Sequence, residues 1–172
     1  MSDEQPWHDS EFRTIIEDAR TRHAAVVTLM YSSDSQAIGL LRAYSTLGIA
    51  TASGALAGFG DPSSMITRPL AWGLLAAAIV LVLGAVFCFI VLRSTSINLP
   101  GRDPDFWQWA MHPDVDRSEV LVRYLENLKI KATDNQGRNA ASSQALKWAK
   151  LCGVGAPATA LIAGLSAIYF GL

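Results

Sequence analysis

Between residues 107 and 138 the sequence sets five cations, Arg117, Arg123, Lys129, Lys131 and Arg138, near Trp107, Trp109 and Tyr124. Guanidinium and ammonium donors suit an anionic group such as a phosphate, and aromatic faces suit a flat ring, so the set is a candidate ligand-binding patch. The same cations also read as solvated helix faces lying near anionic headgroups. Groups for catalysis do not converge. His8, His23 and His112 are scattered, and none has a partner His or Cys at a zinc-ligand spacing. His112-Pro-Asp114-Val-Asp116 reads as loop polarity ahead of a helix. Ser53-Gly54 lies in an apolar run, but no such run holds a His to serve as its base. With no phosphate-cradling or dinucleotide glycine motif either, the expectation is a non-catalytic protein with no metal and no cofactor.

The elements that must position these residues follow from how charge is distributed. Of 172 residues, 51% are hydrophobic and only 17% charged, well below the charge content of a soluble domain. A net charge of -1 gives no support for a nucleic-acid surface. Cys88 and Cys152 both lie inside apolar runs, which excludes a secreted disulfide scaffold. Leu70–Leu92 carries no charge and is bracketed by Arg68-Pro69 and Arg93. Its length, about 34 Å as a helix, crosses a hydrocarbon core of roughly 30 Å. Leu151–Leu172 is a second uncharged run, and Ala37–Phe59 a weaker one, interrupted by Arg42 and diluted by Ser and Thr. The sequence thus predicts an all-α integral membrane protein with three transmembrane helices.

Its parts are a cytoplasmic amphipathic helix in 1–36, a hairpin in 37–93 with spans 37–59 and 70–92, a cytoplasmic helical segment in 94–150 and a last span in 151–172. Phe12, Ile16, Ala19, Val26 and Met30 mark the buried face of the first helix, with a local break expected at Ser32-Ser33. Asn98–Pro104 reads as a breaker, Asp116–Glu119 as a capping box, and Thr133–Gly137 as a second interruption. The first 36 residues show no basic stretch followed by a short apolar one, so span one is expected to be an uncleaved anchor. Arg13, Arg20, Arg22 and Arg42 precede or open span one, Arg68 alone lies between spans one and two, and nine cations lie in 93–150. The positive-inside rule puts the N-terminus in the cytoplasm and the C-terminus outside. Phe59, Trp72, Tyr169 and Phe170 would lie at the outer interface and Trp148 at the inner one.

Inside a bilayer, helices associate through small residues that let backbones approach. Ala50, Gly54 and Gly58 form such a stripe in span one, and Ala156, Ala160 and Gly164 another in span three. Both fit either a homo-oligomer or packing within one chain. Arg42 is an intramembrane charge close enough to the inner end to snorkel.

The order of a charged N-terminal helix, a polar Asp34-Ser-Gln-Ala37 stretch opening span one, a short outer loop, span two, an amphipathic cytoplasmic helix with Asn135, Asn139, Ala140, Lys147 and Ala149, and a final span resembles the small transmembrane effectors of bacterial cyclic-nucleotide antiphage systems, the Pycsar membrane effector group and related CBASS effectors. The resemblance implies a bacterial inner-membrane protein that senses a cyclic nucleotide made after infection and oligomerises to disrupt the lipid bilayer. Two other readings stand beside it: a membrane anchor or scaffold subunit whose cytoplasmic helices dock a soluble partner, and a constitutive small pore.

Overall fold

A computed structural model describes residues 9–60, 65–93, 97–99, 102 and 104–171. Among these residues the secondary structure is all helical: α1 (Asp9–Gly60), α2 (Arg68–Leu92), α3 (Pro104–Ala110) and α4 (Arg117–Phe170), with no strand. Of the expected breaker, Pro100, Gly101 and Asp103 lie outside the described residues, as does Leu172 at the end of the third apolar run.

Two expected interruptions do not occur. α1 passes through Ser32-Ser33 without a break and α4 through Thr133–Gly137. The weak helix formers there are used rather than solvated. Thr133 Oγ1 donates to the Lys129 carbonyl, one turn back, and Asn135 is fully buried in a tertiary contact. Local propensity of a few tenths of a kcal/mol per residue, roughly, yields to such contacts. The segments expected as separate elements in 94–150 and 151–172 therefore share one helix. It includes Pro157, whose ring forgoes one backbone bond. At the start of α4, Ser118 Oγ donates to the Asp116 carboxylate, while Glu119 pairs with Arg123 at 2.8 Å along the same helix face.

The chain forms two compact units, Met1–Tyr31 with Thr95–Ala140 and Ser32–Ser94 with Ala141–Leu172. The first, polar unit buries Val26, Val27, Met30, Tyr124 and Leu128. The second, apolar unit centres on Ala37, Tyr44, Leu81, Cys88, Ala149 and Ala156.

Glycine sets the register of the apolar unit. Tyr44 is wedged where a Cβ on Gly84 would come within 2.9 Å of its ring and one on Gly153 within 2.5 Å of its hydroxyl oxygen. That hydroxyl donates to the Ala149 carbonyl at 2.7 Å. Further along, Gly54 faces Leu74 and Gly58 faces Ala71, so α1 runs antiparallel to α2. Gly73 abuts the Ala160 carbonyl and Gly164 the Pro69 carbonyl, so α4 runs antiparallel to α2 and parallel to α1. One end of this three-helix bundle gathers Phe59 and Trp72, in edge-to-face contact at 5.1 Å, with Tyr169 and Phe170. The other end gathers Gln36, Arg93, Trp148 and Lys150.

α2 and α4 are both long and apolar enough to cross a membrane. The core helix of a soluble protein would be mostly buried, but only 11% of the most apolar stretch of α4 is. Val154, Leu161, Ile162, Leu165 and Ile168 are each more than three-fifths exposed, as are Ile49 and Leu56 of α1. A surface this apolar is suited to lipid.

Candidate functional site

In the polar unit α1, α3 and the first turns of α4 enclose a cleft of about 810 Å³. α1 offers Arg13, Ile16, Glu17 and Arg20 from successive turns of one face, the spacing that puts i, i+3, i+4 and i+7 together. α4 offers Arg117, Val120, Leu121 and Tyr124 by the same logic, and α3 supplies Trp107. Three guanidinium groups against one carboxylate give the cleft a positive balance, and the aromatic and aliphatic side chains give it an apolar wall.

Its geometry is held from behind. Arg20 Nε donates to the Tyr124 hydroxyl at 2.6 Å. The guanidinium carbon stands 5.5 Å from the ring centroid, so the hydrogen bond, not a cation–π contact, is the stronger link. Tyr124 is buried and its ring meets Phe106 at 6.3 Å and Trp107 at 6.1 Å. Arg102 lies over Phe106 at 4.3 Å and donates to the Arg123 carbonyl. These contacts fix the α3 aromatics against α4, while Trp107, which lines the cleft, stays 41% exposed.

Of the residues singled out in the sequence, Arg117 and Tyr124 line this cleft. Arg123 does not: it pairs with Glu119 and covers Trp109 at 4.7 Å. Lys129, Lys131 and Arg138 lie further along α4 and do not line it; Lys129 is exposed, and Arg138 has a buried Nη1 without a hydrogen-bond partner among the described residues. Arg13, Arg20 and Trp107 complete the site, and the two arginines are residues that sequence reading assigned to membrane orientation alone. Only the fold reveals them, since Arg20 and Tyr124 are 104 positions apart.

The small-residue stripe of α1 is engaged within the chain. Gly54 packs on Leu74 and Gly58 on Ala71 and Ile66, leaving only Ala50 of the three outward. In α4, Ala156 is buried, and Ala160 and Gly164 face α2. Arg42 is exposed on the outside of the apolar unit rather than directed into its core.

A second polar cluster lies in the same unit as the cleft. His23 and Asn135, each fully buried, clamp the Asn98 peptide: Asn135 Nδ2 donates to its carbonyl at 2.8 Å, its N–H donates to Asn135 Oδ1 at 3.3 Å, and His23 Nε2 lies 2.8 Å from the same carbonyl. A carbonyl only accepts, so Nε2 carries the proton. Its 3.1 Å approach to Asn135 Nδ2 is then a contact between two donors and not a bond.

Comparison with protein-family models, with curated proteins and with solved structures finds no match for this chain.

Proposed function

We propose that the chain is a three-span effector of bacterial antiphage defence, which binds a cyclic nucleotide in the polar unit and oligomerises to disrupt the inner membrane. The observation that carries this reading is the cleft of Arg13, Arg20, Arg117, Trp107 and Tyr124. Its volume is in the range of small-ligand sites, its donors suit a phosphodiester, its aromatic wall suits a base, and Glu17 can accept from exocyclic amino groups. Of the three helices that line it, α1 and α4 also supply residues to the apolar unit. A ligand that favours one arrangement of them therefore has a covalent route to the bilayer. No catalysis is assigned to the chain.

Span one, the weakest of the three apolar runs, is supported by packing. α1 lies alongside α2 from the Tyr44–Gly84 contact to the Gly58–Ala71 contact, so if α2 crosses the bilayer α1 shares its depth. Its polar dilution costs little there, because Thr46 Oγ1 donates to the Arg42 carbonyl and Thr51 Oγ1 to the Leu47 carbonyl. With Arg42, Arg93, Lys147 and Lys150 toward one end and Phe59, Trp72, Tyr169 and Phe170 at the other, the positive-inside rule favours an N-terminus inside and a C-terminus outside. Alkaline phosphatase fused after Leu172 is expected to be active, and fused after Gln136 inactive; the reverse pattern removes the topology.

The functional test is depolarisation of cells, read by a membrane-potential dye, with and without a co-expressed nucleotide cyclase. Depolarisation is expected only with the cyclase. Arg20→Gln and Trp107→Ala should each raise the ligand concentration for half effect by roughly tenfold or more, the loss of one charged contact or one stacked face. If no cyclic nucleotide depolarises the cells and the protein instead retains one soluble partner, the anchor reading takes over. Because Gly54 and Gly58 are occupied within the chain, contacts between copies are assigned to the exposed face of α1 around Ala50.

A further inference from the structure

We propose that the apolar unit carries a seat for one anionic phospholipid, its phosphate held by Lys147 and Lys150 and its acyl chain laid along Leu151 and Val154. The inference rests on the reading that α4 crosses a membrane, and not on the cyclic-nucleotide reading. A groove of about 490 Å³ lies between the α1 turn at Ser33 and Gln36 and the α4 turns from Ser143 to Val154. Its ends differ in chemistry. At one end two ammonium groups, three residues apart on α4, stand beside hydroxyl and amide side chains, and no described residue lining the groove is acidic. Lys150 Nζ donates to Gln36 Oε1 at 2.9 Å, which orients the ammonium while using one of its three protons.

At the other end the wall is Leu151, 49% exposed, and Val154, 79% exposed, the first residues of the uncharged stretch of α4. Free phosphate would use the cations and leave that wall in contact with water. A soluble protein would meet a surface that the bilayer covers. An amphiphile whose charge and chain are separated along the membrane normal matches both ends at once. The groove lies at the end of the bundle marked by Trp148 and Arg93, where headgroups of the cytoplasmic leaflet would lie.

The test uses the full chain in detergent, with bound lipid counted by native mass spectrometry as phosphatidylglycerol or phosphatidylcholine is added. Phosphatidylglycerol is expected to bind selectively at a single site. Lys147→Gln combined with Lys150→Gln should weaken it about 30-fold, near fivefold for each lysine at an anionic surface. Lys147→Arg with Lys150→Arg should keep binding, which separates loss of charge from loss of fold. Inorganic phosphate in millimolar excess should not displace the lipid. Equal binding of the two lipids, full affinity in the glutamine pair, lost affinity in the arginine pair, or displacement by phosphate each overturns the proposal. Resistance to alkaline carbonate extraction is read on the same protein: release overturns the span and the lipid seat together, whereas retention without lipid selectivity overturns the seat alone.

Discussion

Gly73→Ala is expected to destabilise the apolar unit by about 1–3 kcal/mol, although it adds a single methyl group to an already apolar helix. A Cβ at this position would lie 2.7 Å from the carbonyl oxygen of Ala160. That atom belongs to the backbone of α4 and cannot rotate away as a side chain can, so the two helices must separate. Separation then loosens the neighbouring contact of Gly164 with the Pro69 carbonyl, 3.3 Å from its own Cβ position. Gly155→Ala is the matched control: it lies in the same bundle, in an uncharged stretch, and has nothing within 4 Å of its Cβ position. It should be neutral, or up to about 1 kcal/mol stabilising through helix propensity. The measurement is the temperature at which the monodisperse detergent-solubilised protein is lost from size-exclusion chromatography. Equal midpoints for the two variants would mean that α2 and α4 do not pack in this register.

The glycines of the apolar unit also show what could and could not be read from residue types. α2 was legible to within two residues, because an uncharged run bounded by Arg68-Pro69 and Arg93 has one structural use. The glycines of α4 were legible as small residues in a helix, but nothing local distinguishes Gly153, with Tyr44 against it, from Gly155, which faces open space. Only the register of a distant helix does. The cleft was half legible for the same reason. Arg117, Tyr124 and Trp107 are near each other in sequence and declared a cationic, aromatic patch, whereas Arg13 and Arg20 come from a helix a hundred residues earlier.

His23 stands in the sequence as one of three scattered histidines, yet its position carries a signal. Ile16, Ala19, Val26 and Met30 trace one helical face, and position 23 falls on it between Ala19 and Val26. A histidine on an otherwise apolar stripe marks a buried polar contact. Asn135 falls seven residues beyond Leu128 on the corresponding face of α4. Reading Thr133–Gly137 as an interruption concealed it.

Asn135→Leu is expected to cost about 2–4 kcal/mol in the polar unit, several times the roughly 0.5 kcal/mol bound of most surface changes. The amide makes a reciprocal pair with the Asn98 peptide, donating to its carbonyl and accepting from its N–H, as a neighbouring strand would. Leucine fills the volume but leaves that N–H without its partner in a dry setting. The carbonyl keeps His23 Nε2. His23→Leu should therefore cost less, about 1–2 kcal/mol, since Asn135 continues to satisfy both peptide groups. Asn135→Asp should be the worst of the three at pH 7. It replaces the donor by a second acceptor facing the Asn98 carbonyl and buries a negative charge. Burial favours the neutral acid, so the folded state of this variant takes up a proton more readily than the unfolded one. Its stability should consequently fall with rising pH above the unfolded carboxyl value of about 4 and recover on acidification, when the acid can again donate to the carbonyl. The readout is thermal unfolding of the full chain in mild detergent at pH 5 and pH 7. If Asn135→Leu melts with the wild type, or Asn135→Asp shows no recovery at the lower pH, the residue does not hold the Asn98 peptide.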